Sequence, residues 1–297
     1  MTADDLGEDA RHIDVIVDGV AVRLWARRFS ATDPAASHRF VLLHGNPSRI
    51  EHFDPILDFL RCHGEVALYD APGFGNSPTR LGPLSLDFLA DVAAAFMQCL
   101  GWNDAHLIGH SHGGAVAQTV AARHPHCVRS LVLLCTMGVP AHASIRIAML
   151  PGVEQLVHGL AKRAGRFPYD ALARVVLRLA MHTSFHPDVA PVGFPEAELA
   201  LNLTTPEIPR SSVRVNDGDP TRQLRAQAAR ISAPVLAIHG LGDRLVPIEY
   251  GRRVFDLLAA GHPRNRFEAV DGGHNLHISR PATVHALLQS WLSSTAS

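Results

Sequence analysis

The sequence predicts an α/β fold: a mostly parallel central sheet of about eight strands, opened by an antiparallel hairpin, with helices on both faces and a helical cap insertion. Three observations carry that prediction. From Phe40 to Cys135 short apolar runs alternate with segments of helical period, and a strand–helix–strand chain of this kind must place its crossovers on the faces of a parallel sheet. The alternation stops at Met137 and resumes at Pro234, so the intervening segment is an insertion. Before Phe40, two segments alternating apolar with polar residues flank Asp18-Gly19, a dipeptide that suits the left-handed backbone of a two-residue hairpin turn.

In chain order, His12–Val17 and Val20–Arg27 are the hairpin strands, and Phe40–Leu43 is a buried strand ending in His44-Gly45-Asn46-Pro47-Ser48. A helix carrying Phe53, Ile56, Leu57 and Leu60 follows. The Glu65–Tyr69 strand then runs into the turn-rich Asp70–Pro78 loop. Leu86–Leu100 has helical spacing. Ala105 begins a strand that leads through Ser111 into a helix ended by Pro125, and Val128–Cys135 is the next strand. Within the insertion, helical stretches fall near 146–163, 169–182 and 221–230, with a proline-rich run between Pro187 and Pro220. The sheet resumes over Pro234–Ile238 and reaches Asp243. A helix over Ile248–Leu258 follows, then a strand over Arg266–Val270 that ends in Asp271-Gly272-Gly273-His274, and a closing helix over Pro281–Leu292. The expected domains are therefore a core of residues 1–136 and 231–297 and a cap of residues 137–230.

The 297 residues are enough for one large core with an insertion, and 47% hydrophobic against 19% charged content excludes a disordered chain. A net charge of −1 argues against nucleic acid or an anionic membrane as partner. No apolar run spans a bilayer, no secretory signal is visible, and Cys62, Cys99, Cys127 and Cys135 show no paired spacing. A cytoplasmic protein with free thiols is the expectation, and a homo-oligomer is not indicated. The 19 histidines show neither zinc-finger spacing nor a helical His-x-x-x-His with an acidic partner, so no metal site and no cofactor are expected.

The chemistry centres on Gly109-His110-Ser111-His112-Gly113. A serine squeezed between strand and helix stands proud of the sheet, requires small residues two positions to either side, and has helix N–H groups behind it. Asn46, Ser111, Asp243 and His274 all follow strand ends, where ligands of open parallel sheets bind. The order Ser111, Asp243, His274 supplies a nucleophile, a carboxylate to orient a base, and the base. Asp70 is the rival acid, but its strand precedes the serine and it is expected to be structural. His277 is the rival base. His110 and His112 are expected to shape the pocket wall, and His44 to be a satisfied histidine under the neighbouring loop.

With these residues the chain resembles the α/β-hydrolases over nearly its whole length, including their Asp-x-Pro-Gly-x-Gly-x-Ser turn at Asp70–Ser77. The resemblance implies Ser111 as nucleophile, Asp243 as triad acid after the seventh strand and His274 as base after the eighth. It also implies an oxyanion hole from the backbone N–H groups of Asn46 and His112. His44-Gly45-Asn46-Pro47 is similar to the loop of haloalkane dehalogenases, but those need a carboxylate nucleophile and this chain has a serine. The expected activity is hydrolysis of a carboxylic ester with a small or medium hydrophobic acyl group lying under the cap. Alternatives on the same residues are a carbon–carbon bond hydrolase, a thioesterase, a lactonase and an intracellular polyester depolymerase. A non-catalytic receptor or scaffold is the alternative from a different class.

Overall fold

A computed structural model describes residues 6–78, 84–137, 178–179, 181–204, 220–259 and 262–294. The eight strands are β1 (Arg11–Val17), β2 (Val20–Phe29), β3 (His38–Leu43), β4 (Gly64–Tyr69), β5 (Ala105–His110), β6 (Val128–Leu134), β7 (Val235–Gly240) and β8 (Arg266–Val270). The helices are α1 (Asp54–Arg61), α2 (Leu86–Cys99), α3 (His112–Arg123), α4 (Phe194–Thr204), α5 (Pro220–Gln227), α6 (Ile248–Ala259), the single turn α7 (Leu276–Ser279) and α8 (Pro281–Ser293).

One sheet in the order β1-β2-β4-β3-β5-β6-β7-β8 holds all eight strands. β1 and β2 form the expected hairpin, closed with Val17 opposite Val20, and Asp18 and Gly19 both take positive φ, 50° and 74°. β2 runs antiparallel to β4, and every later pairing is parallel. The chain goes from β3 to β4 on one side and returns to place β5 on the other. The order therefore reverses between β3 and β5, and a crevice opens at their carboxyl ends.

Alternation along the strands divides the core. Val41, Leu43 and Leu107 face the layer built from α2, α3 and α6, whereas Phe40, Leu42 and Ile108 face Ile56, Leu60, Leu288 and Trp291 of α1 and α8. α3 is buried along nearly all its length because it is built of small residues, and this lets it lie directly on the sheet. The sequence reading places these elements to within a few residues.

The chain between β6 and β7 departs from that reading in one respect. α4 occupies part of the stretch read as a proline-rich run between helical stretches. Its Pro195 sits in the first helical turn, where a missing N–H costs no bond, and the next ten residues contain no helix breaker until Pro206. Residues 181–185 and α5 are helical as expected near those positions, and between β6 and β7 the described residues contain no strand. The stretch expected as helix at 146–163, and most of that at 169–182, lie outside the described residues. No described helix is long and apolar enough to cross a membrane. The four cysteines are unpaired.

Candidate active site

Ser111 lies at the sharp turn between β5 and α3 with φ 52° and ψ −116°, a conformation an L-residue adopts only when its surroundings impose it. Three backbone bonds impose it: Ser111 N–H donates to Leu134 O (2.9 Å), and Ser111 O accepts from Gly114 N–H and Met137 N–H (3.0 Å each). The flanking glycines are required by contact. A Cβ on Gly113 would stand 2.0 Å from Leu43 O and 2.5 Å from His44 O, and one on Gly109 would stand 2.4 Å from Gly113 O.

Asp243 and His274 come together from the loops after β7 and β8. His274 Nδ1–H donates to Asp243 Oδ2 at 2.7 Å, and both side chains are buried. The other carboxylate oxygen, Oδ1, accepts from Leu245 N–H (2.9 Å) and Val246 N–H (2.8 Å). Burial alone would push the Asp243 carboxyl up. His274 and His239 beside it, with the Val246 N–H, outweigh that and hold it below the ordinary carboxylate range. His239 Nε2 lies 3.5 Å from Asp243 Oδ2 and donates to Val246 O at 2.7 Å. Cys135 Sγ stands near both, and this Cys135–His239–Asp243 group is the one cluster of metal-ligating atoms among the described residues. Its carboxylate is already engaged by His274 and two amides.

Ser111 and His274 line one cavity of about 110 Å³ with Gly45, Asn46, Ser48, His52, His110, Met181, Ser184, Phe194, Glu198, Leu245 and Asn275. The strand-end residues Ser111, His274 and Asn46 thus open onto one space, and Asp243 backs it through His274. His112 is the first residue of α3. Its side chain lines a second, smaller cavity with His44, Tyr69 and Phe74 rather than the Ser111 cavity, so of the two flanking histidines only His110 forms the expected wall. A larger groove, about 760 Å³, lies beside Val17, Trp102 and Arg123 near the amino ends of β5 and β6, away from this chemistry.

The rival residues take structural places. Asp70 accepts from Ile50 N–H (2.9 Å) and Asn76 N–H (2.8 Å), tying the loop after β4 to the segment after β3; burial raises its carboxyl to about 7. His277 is buried outside the cavity lining, its ring 4.4 Å from that of His110, with no hydrogen-bond partner for either nitrogen among the described residues, and burial holds it well below the ordinary histidine range. His44 is satisfied as expected. Its Nδ1–H donates to Gly45 O and its Nε2 accepts from Ala71 N–H, both at 2.8 Å, and burial lowers it to about 4. His110 Nε2–H donates to the His274 carbonyl at 3.0 Å and so ties the loop after β8 to β5.

Of the large apolar side chains between β6 and β7, Met181 and Phe194 line the cavity and Phe185 is buried against Phe194. Met149, Leu156 and Phe167 lie outside the described residues. Sequence reasoning misses Ser48, His52, Glu198, Ser184 and Asn275. No local period marks Ser48 and His52 as partners, because Ser48 precedes the short helix that begins at Ile50 and Arg49 between them is extended.

A family model described as alpha/beta hydrolase fold matches residues 38–281. "Putative carbamate hydrolase RutD" of Caulobacter segnis is 30% identical over 270 residues, covering 87% of this chain and 93% of that protein. The pimeloyl–acyl-carrier-protein methyl ester esterase of Neisseria meningitidis is 27% identical over 223 residues, 73% of this chain and 80% of its own. A solved structure, a thermophilic esterase from Thermogutta terrifontis, superposes with a TM-score of 0.74 over 97% of this chain and all of that one. At 19% identity it bears on the fold alone.

Proposed function

This chain belongs to the α/β-hydrolase fold family, and from that premise we propose that it is a serine hydrolase cleaving a carboxylic ester of a small or medium hydrophobic acyl group through an acyl-enzyme on Ser111. The observation that carries the reading is the buried His274–Asp243 pair opening onto the cavity that Ser111 lines. With Nδ1–H committed to Asp243, His274 Nε2 is the nitrogen left to accept the Ser111 proton as Oγ attacks the carbonyl carbon. The N–H groups of Asn46 and His112 receive the oxyanion. His274 returns the proton to the leaving alcohol, and water then repeats the sequence to free the acid. Met181, Phe194 and Leu245 give the acyl group apolar contact.

Ser111→Ala is expected to abolish hydrolysis of a short p-nitrophenyl ester while thermal unfolding stays within a few degrees; persisting turnover would remove Ser111 from the role of nucleophile. A fluorophosphonate probe is expected to label the wild type and to leave His274→Ala nearly unlabelled. Absence of labelling on the wild type would favour a receptor or scaffold. The same acyl chemistry would serve a carbamate, the class named for the Caulobacter relative, and p-nitrophenyl carbamate turnover compared with ester turnover separates the two.

A further inference from the structure

A second polar chain lines the cavity and takes no part in the chemistry above. Ser48 follows Asn46 by two residues, and its Oγ lies 2.7 Å from His52 Nδ1. His52 Nε2 stands 3.0 Å from Glu198 Oε1 in a bent contact, and Arg49 Nε donates to the same oxygen at 3.0 Å. Glu198 belongs to α4 of the insertion, so the chain bridges insertion and core. Ser48, His52 and Glu198 are all buried and all line the cavity. Phe194 packs its ring 4.9 Å from that of His52 and holds it in place.

The direction of the protons follows from the carboxylate. Burial pushes the Glu198 carboxyl up, but His52 and Arg49 outweigh it and hold the group below its ordinary range, so it is ionised and can only accept. The ring nitrogen facing it carries a proton, and in that tautomer Nδ1 accepts from the Ser48 hydroxyl. Ser48 then has only lone pairs to offer the cavity. Two other small polar groups on the wall are already engaged: Asn275 Nδ2 donates to Ser184 Oγ (3.0 Å), and Ser184 Oγ–H donates to Met181 O (2.8 Å). Met181, Phe194 and Leu245 complete the wall with apolar surface.

We infer that Ser48, oriented by His52 and Glu198, is a hydrogen-bond-accepting subsite that selects esters carrying a hydroxyl or N–H donor, on the acyl or the alcohol side, over their deoxy counterparts. This deepens the serine-hydrolase reading of the same cavity and rests on it. A buried acceptor meeting a methylene loses the bond that water gave it, whereas a substrate donor restores the bond; sites built this way discriminate against the analogue lacking the donor.

The test is a ratio. For the acyl side, kcat/KM is measured for p-nitrophenyl 3-hydroxybutyrate and p-nitrophenyl butyrate; for the alcohol side, for 4-hydroxybutyl butyrate and butyl butyrate. In one pair the wild type favours the hydroxylated ester by about three- to tenfold, read mainly in KM. Ser48→Ala brings that ratio to near one, Ser48→Thr retains it, and Glu198→Ala lowers it. A purely structural role for Ser48 would slow both esters of a pair and leave the ratio intact. A wild-type ratio near one in both pairs overturns the inference while leaving ester hydrolysis standing. Should no ester be cleaved, the hydrolase reading fails separately. The subsite is then read on Ser111→Ala protein by calorimetric affinity for butyl and 4-hydroxybutyl butyrate and for ethyl butyrate and ethyl 3-hydroxybutyrate, where equal affinities within both pairs overturn it.

Discussion

Replacing Asp243 with asparagine tests the site through a single proton. The change keeps the shape of the side chain, and the surroundings decide which way the amide points. Oδ1 receives two backbone N–H groups, from Leu245 and Val246. Neither can accept a hydrogen bond from an NH2 group, so the amide oxygen must stay there. The NH2 then occupies the place of Oδ2, 2.7 Å from His274 Nδ1. Nδ1 must now accept, so the ring proton moves to Nε2, the atom proposed to take the Ser111 proton, and the imidazolium also loses its carboxylate partner. An inverted tautomer in a serine triad lowers kcat by about 10⁴, or about 5 kcal/mol of transition-state stabilisation. The assay is steady-state hydrolysis of a short p-nitrophenyl ester with thermal unfolding alongside. Asp243→Asn is expected to stay folded, hold KM within a few-fold and lose kcat by roughly that factor. A folded variant whose kcat falls less than about tenfold would refute both the role of Asp243 and the tautomer argument.

Two further outcomes concern the scaffold. Gly113→Ala places a methyl 2.0 Å from Leu43 O, a backbone atom that cannot swing aside. It is expected to cost on the order of 2–4 kcal/mol in urea unfolding and to remove the proposed ester hydrolysis, and an active variant of wild-type stability would contradict the packing of the β5–α3 turn. At the amino end of the central strand β5, His106 is buried between Ser130 Oγ (2.7 Å) and His38 Nδ1 (2.9 Å), and burial, with His38, Arg129 and Arg264 nearby, lowers it to about 3. The unfolded chain titrates near 6.5, so below that pH it binds a proton the folded chain refuses, and stability falls as pH drops from about 6.5 toward about 3. Between pH 7.5 and 5 the wild type is expected to lose about 2 kcal/mol that His106→Gln does not lose; parallel stability–pH curves would rule this out.

Most of the frame was readable without coordinates because it rests on short-range rules. The Asp18-Gly19 turn, the unbroken apolar runs of β3 to β7 and the small residues around Ser111 each answer to local backbone or burial requirements. α4 escaped notice because Pro187, Pro191 and Pro209 suggest irregular chain, whereas Pro195 in fact sits where a helix tolerates it. The order of residues along the chain suggested Asp243 and His274, but their separation in sequence says nothing of whether an Nδ1 and an Oδ2 meet at 2.7 Å.

The sequence by itself determined which residue types stand at the ends of which strands, because hydrophobic period and turn chemistry are written locally. Tertiary structure alone decided the strand order that opens the crevice between β3 and β5 and turned His112 toward a different cavity from His110. It alone brought Glu198 of α4 to His52, 146 positions earlier. Those outcomes depend on how separately encoded faces pack together, and no local pattern carries that information.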